Sequence, residues 1–196
     1  DVDNVLGGGF VAGSVNLIAG QPGIGKSTLL MQLAAQLSAK HNVLYVSGEE
    51  SLEQVSMRAE RITPSDQKVL LAGSTSSDDI AETILSKEHQ VVIVDSIQTV
   101  SCQSVSSAPG SISQITNSTY LLTQAAKQSG TTLIIVGHVT KEGSIAGPKL
   151  LEHLVDVVLN LEGDRYGGFK VLRAVKNRFG STSEVGIFDM SEKGLI

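Results

Sequence analysis

The eight residues Gly20-Gln21-Pro22-Gly23-Ile24-Gly25-Lys26-Ser27 fit the pattern G-x-x-x-x-G-K-[ST], and their flanks narrow what the chain can fold into. Val15 to Ala19, just before, is an apolar run that reads as a buried strand. Thr28 to Leu37, just after, has the apolar spacing of a helix. Strand, glycine-rich turn and helix start in that order build a phosphate cradle: glycines let successive backbone N–H groups converge on oxygens, and the helix adds its positive end. A turn that carried Lys-Ser by chance would lack both flanks. The stretch therefore predicts binding of a nucleoside triphosphate, ATP, by Gly20, Gln21, Pro22, Gly23, Ile24, Gly25, Lys26, Ser27 and Thr28. Lys26 is placed to reach the β- and γ-phosphates, and the Ser27 hydroxyl to ligate Mg²⁺.

The remaining chain alternates short aliphatic runs with helical spacing. Asn42 to Ser47, Val69 to Ala72, Val91 to Asp95 and Thr132 to Val136 read as strands. Helices are expected from Ser51 to about Arg61, from Ser77 to Ser86 and from Ile112 to Gln128, where Gly130 stops the last. Ser51 with Gln54 three residues on has the form of a capping box. Wholly apolar strands alternating with helices predict an α/β fold, a mostly parallel sheet covered on both faces. Val155 to Leu161, Phe169 to Val175 and Val185 to Asp189 change character, with polar turns between them, and read as antiparallel strands extending the sheet edge.

Composition sets limits on this reading. At 196 residues with 41% hydrophobic and 18% charged, the chain is one globular domain with a sizeable core. No run approaches the roughly 18 apolar residues of a membrane span, and no signal peptide opens the chain. The single cysteine, Cys102, excludes an internal disulfide and a cysteine-based zinc site, so no zinc is expected here, and it fits a cytoplasmic protein. A net charge of −5 gives no support to nucleic-acid binding, although a ring can confine its basic residues to loops around a pore.

Further residues carry chemistry around the phosphate cradle. Asp95 ends an aliphatic strand, where its carboxylate is suited to hold Mg²⁺ beside Ser27. Glu49 follows the second strand at the edge where α/β sheets place ligands, and suits the orientation of an attacking water. Its neighbour Glu50 reads instead as an acid at a helix N-terminus. Lys176 and Arg178, two apart on an extended segment, suit a pair of donors for the phosphates of a neighbouring subunit, or simply a solvated edge. The loops after the fourth and fifth strands offer Gln98, Gln114, Lys141 and Lys149 for sequence-neutral DNA contact, without aromatic residues for stacking. His138, after a buried strand, is either a γ-phosphate sensor or a polar strand end.

Taken together, Gly20 to Ser27, Tyr45-Val46-Ser47-Gly48-Glu49-Glu50-Ser51, Val94-Asp95-Ser96-Ile97-Gln98-Thr99, Gly137-His138-Val139-Thr140-Lys141-Glu142-Gly143 and Lys176-Asn177-Arg178-Phe179-Gly180 resemble the bacterial RadA (Sms) family of DNA repair ATPases. The resemblance runs the length of the chain. It implies a RecA-like P-loop NTPase core that hydrolyses ATP, assembles as a homo-hexamer, binds single-stranded or branched DNA and drives branch migration as a helicase, with the RecA recombinase as a partner. By position it makes Glu49 the water-activating glutamate, and Lys176 and Arg178 the cations sent across the subunit interface. The family's four-cysteine zinc finger and Lon protease-like domain have no counterpart here, so residues 1–196 are expected to be the ATPase core of a longer protein. Where the family commonly has an Arg in the first loop's helix, this chain reads Gln114-Ile115-Thr116-Asn117. The acidic charge and the aromatic-free loops favour a different class, a RecA-fold signalling ATPase like KaiC that binds proteins rather than DNA.

Overall fold

The apolar runs become five parallel strands in the computed structural model, which describes residues 1–64, 68–139, 148–164 and 168–196. They are β1 (Val15–Gly20), β2 (Val43–Ser47), β3 (Val69–Gly73), β4 (Val91–Asp95) and β5 (Thr132–His138). Among the described residues six α-helices accompany them: α1 (Val2–Leu6), α2 (Lys26–Ser38), α3 (Leu52–Ile62), α4 (Ser77–Leu85), α5 (Ile112–Ser129) and α6 (Pro148–Leu151). Three further strands, β6 (Val157–Gly163), β7 (Lys170–Asn177) and β8 (Val185–Phe188), complete an eight-stranded sheet in the order β3-β2-β4-β5-β1-β6-β7-β8. A short hairpin of β9 (Met190–Ser191) and β10 (Gly194–Leu195) follows. The Gln32 side chain on α2 bonds both the Leu195 N–H and its carbonyl, pinning this hairpin behind the helix.

Because strand side chains alternate, each central strand feeds two cores. Val43, Tyr45, Val91 and Ile93 face one side, where Leu29, Leu30, Met31 and Ala34 of α2 and Val55 of α3 cover them. Leu44, Val46, Val92 and Val94 face the other, under Ile80 and Ile84 of α4 and Leu122 and Ala126 of α5. Local signals set the helix ends. The Ser51 hydroxyl accepts from the Gln54 N–H while the Gln54 carboxamide accepts from the Ser51 N–H, the expected capping box. Gly130 closes α5 in the left-handed conformation.

One expectation needs correction. The segment from Val155 to Leu161 reads as antiparallel, but β6 pairs with β1 in parallel, Asn16 opposite Val157 and Gly20 opposite Leu161. The chain leaves β5 at one end of the sheet and crosses back through α6 before β6 begins, so β6 starts at the same end as β1. Within the eight-stranded sheet the antiparallel pairings are β6 with β7 and β7 with β8, and burial alternates through the middle of β7 and along β8.

Asp156 anchors that crossover. Buried just before β6, it accepts from the Val15 N–H at 2.8 Å and from Arg178 Nη1 at 2.9 Å, and it is also bonded to the Lys127 ammonium. Burial alone would raise its pKa, but these donors hold the carboxyl below the usual range. Asp156→Ala is expected to lower stability by about 2 kcal/mol, less than for a wholly buried pair because Lys127 and Arg178 are half exposed. A melting curve should drop by about 4–8 °C. The contribution needs the ionised carboxylate. It is therefore present above the ordinary carboxylate range and lost as pH falls through the depressed native value. A variant that melts like the parent at neutral pH contradicts this account.

Candidate active site

The C-terminal ends of β1, β2, β4 and β5 meet at one edge of the sheet, and a cleft of about 320 Å³ opens there. Its lining includes Pro22, Gly23, Gly25, Lys26, Ser27 and Thr28 of the cradle, facing Glu49, Glu50, Arg58 and His138. Gly25, the N-cap of α2, sits at φ 114°, a conformation side chains rarely adopt, and this lets the turn enter the helix with its N–H groups facing inward. Lys26 is buried and folds back, its Nζ donating to the carbonyls of Gly20 and Gln21, each at 2.8 Å. Burial pushes its pKa down to about 8, against the opposing pull of Asp95 and Glu49.

Asp95, at the end of β4, is 4% exposed. Its Oδ2 accepts a 2.5 Å hydrogen bond from the Tyr45 hydroxyl, while its Oδ1 is buried with no hydrogen-bond partner among the described residues. The Tyr45 phenol, pushed well above its ordinary pKa by burial and by Asp95, keeps its proton, and the Ser27 hydroxyl lies beside it. The peptide between Asp95 and Ser96 is cis. An orphaned carboxylate oxygen near a cradle serine and a buried lysine is a donor set that fits Mg²⁺ with a nucleotide.

Glu49 and Glu50 part company at the end of β2. Glu50 is held by Arg58 of α3 through two contacts, Nη1 to Oε1 at 2.9 Å and Nη2 to Oε2 at 2.6 Å. Glu49 faces the cleft with His138, whose Nε2 lies 2.9 Å from Glu49 Oε1. The backbone carbonyl of His138 in turn accepts from the Gln98 carboxamide at 3.4 Å. Glu49, His138 and Gln98 thus form a continuous line from the cleft to the start of the loop after β4.

Other predicted residues lie elsewhere. Gln114 is a correction: at 2% exposure its carboxamide bonds the Cys102 N–H and the carbonyls of Val105 and Ser107, so it organises the loop and presents nothing outward. Lys149 is exposed on α6. Lys141 and Thr140 lie outside the described residues. Lys176 and Arg178 stand at the opposite end of the sheet from the cradle, since Asn177 pairs with Val157 whereas Gly20 pairs with Leu161. A strand of this length separates them from their own cleft by roughly 15 Å. There Lys176 Nζ donates to the carbonyls of Glu152 and Val155 at 2.5 and 2.9 Å, and Arg178 bonds Asp156.

Two residues of the site, Tyr45 and Arg58, are given no role by any motif. Tyr45 interrupts an aliphatic strand, and a buried phenol needs a partner for its hydroxyl, which was a usable signal. Arg58 carried none, because its meeting with Glu50 depends on how α3 leaves β2.

The family described as AAA domain matches residues 2–144. Over its whole length the chain is 54% identical to the DNA repair protein RadA of Bacillus subtilis and 50% identical to those of Pseudomonas aeruginosa and Streptococcus pneumoniae. It spans 43%, 43% and 47% of those proteins, less than half of each.

Proposed function

This chain belongs to the AAA domain family, and on that premise we propose that it is the ATP-hydrolysing core of a DNA-dependent repair ATPase, a ring helicase that drives branch migration. The observation that carries the reading is the line from Glu49 through His138 to Gln98, which joins the nucleotide cleft to the start of the loop after β4, the loop this reading assigns to DNA. In this reading the cradle N–H groups bind the phosphates, and Lys26 leaves the Gly20 and Gln21 carbonyls for the β- and γ-oxygens. Ser27 and the free oxygen of Asp95 would hold Mg²⁺. When bound, the ion neutralises charge on the phosphate oxygens.

Glu49 orients the attacking water and accepts its proton, with His138 as the group that steadies or releases the carboxylate. Glu50 is unsuited to that task because Arg58 occupies both its oxygens. His138, on sensing the γ-phosphate, changes its hold on Glu49 and on Gln98 together, so nucleotide state reaches the DNA loops. Lys176 and Arg178 complete the site of a neighbouring subunit in a homo-hexamer, since they stand too far from their own. Single-stranded or branched DNA and the RecA recombinase are the proposed partners. No helix among the described residues is long and apolar enough to cross a membrane.

The test is ATP turnover with and without single-stranded DNA at low and moderate salt. Stimulation that fades as salt rises is expected, because phosphate contacts release counterions. Turnover indifferent to DNA at both salts overturns the DNA-dependent reading for this chain, and favours the KaiC-like alternative in which the partners are proteins.

A further inference from the structure

Tyr45 stands in the middle of β2, wholly buried under α2. Phenylalanine would fill the same volume, so packing does not account for the hydroxyl. The hydroxyl donates to Asp95 Oδ2 at 2.5 Å, with the Ser27 hydroxyl beside it. The strands carrying the two residues are direct neighbours in parallel register, with Tyr45 opposite Ile93 and Ser47 opposite Asp95. The hydroxyl therefore reaches from one strand to the carboxylate ending the next. That contact fixes one oxygen of Asp95 and leaves Oδ1 buried and without a partner among the described residues.

An unpaired carboxylate oxygen in such a place is costly, and two cations act on it, the buried Lys26 of the cradle and Arg58, which Glu50 already holds. A freely turning Asp95 would relieve the cost by pairing with Lys26, and both groups would then be lost to the nucleotide. We propose that Tyr45 is a positioning residue: its hydroxyl holds Asp95 so that Oδ1 stays available to a divalent cation instead of turning to Lys26. The inference rests on the nucleotide-and-magnesium reading of the cleft. It adds a residue that touches neither nucleotide nor metal.

The experiment titrates Mn²⁺ into the chain saturated with a non-hydrolysable ATP analogue, following free Mn²⁺ by electron paramagnetic resonance. Tyr45→Phe should weaken Mn²⁺ binding by about 10-fold, the lower end of what outer partners of metal ligands contribute. Affinity for a fluorescent ATP analogue in EDTA should fall as well, because Asp95 then holds Lys26 away from the phosphates, while an unchanged far-UV circular dichroism spectrum reports that the chain is folded. Asp95→Asn should weaken Mn²⁺ at least as much, and adding Tyr45→Phe to it should change nothing more, because the tyrosine acts only through Asp95. Mn²⁺ binding as tight as the parent's, or tighter, in Tyr45→Phe overturns the inference while leaving the metal site intact. So do effects of the two substitutions that simply add. If Asp95→Asn itself leaves Mn²⁺ binding unchanged, the reading of Asp95 as a ligand fails and the inference falls with it.

Discussion

Lys26→Ala should abolish measurable ATP turnover, with a loss of at least about 100-fold, the scale of removing one donor from charge developing in a transition state. The lysine is the cradle's only cation, and its ammonium already sits on the Gly20 and Gln21 carbonyls, whose oxygens stand where phosphate oxygens would compete for it. Binding should weaken too, and with a pH signature. In the free chain burial lowers the Lys26 pKa to about 8, so around that pH part of the protein carries a neutral amine. Phosphate oxygens favour the charged form and raise the pKa in the complex, so binding near pH 8 takes up protons and affinity falls as pH rises further. Calorimetry in two buffers of different ionisation enthalpy reads this uptake directly. It should vanish in Lys26→Ala. Retained hydrolysis in that variant would refute the assignment of the cradle.

Glu49→Gln should leave ATP bound while slowing hydrolysis by about 100-fold or more, within the range for removing a general base. The amide keeps the size of the side chain and a hydrogen bond to His138, so the cleft stays assembled. Proton acceptance is what disappears. A single-turnover assay with labelled ATP separates binding from cleavage. Glu50→Gln is the control: it loosens the Arg58 pair and should affect the rate far less. If Glu50→Gln stops hydrolysis and Glu49→Gln does not, the two roles are reversed.

The cradle and the strands around it were legible because their signals are local. Gly25 must take φ 114°, and a glycine at that step of the motif is visible in the chain itself. The apolar runs of β1, β2, β4 and β5 and the Ser51–Gln54 cap likewise depend on neighbours a few residues apart. The place of Glu49 at a strand end is visible in the chain, but what sets it apart from Glu50 is that Arg58 takes one acid and His138 meets the other. Gln114 looked like a loop donor because a glutamine is polar. Its burial follows from the way residues 102–107 fold over the start of α5, which no spacing announces.

The direction of β6 is not written in its residues for a related reason. Half-apolar strands near a chain's end look alike whether the connection before them turns back or crosses over. By itself the sequence determined the phosphate cradle, the α/β class and the acids at strand ends, since each is written in residues adjacent along the chain. The tertiary structure alone decided that Asp156 ties β1 to β6, that Lys176 and Arg178 stand away from their own cleft, and that Tyr45 grips Asp95. Those contacts join residues 22 to 141 positions apart, and their partners are chosen by strand order and register.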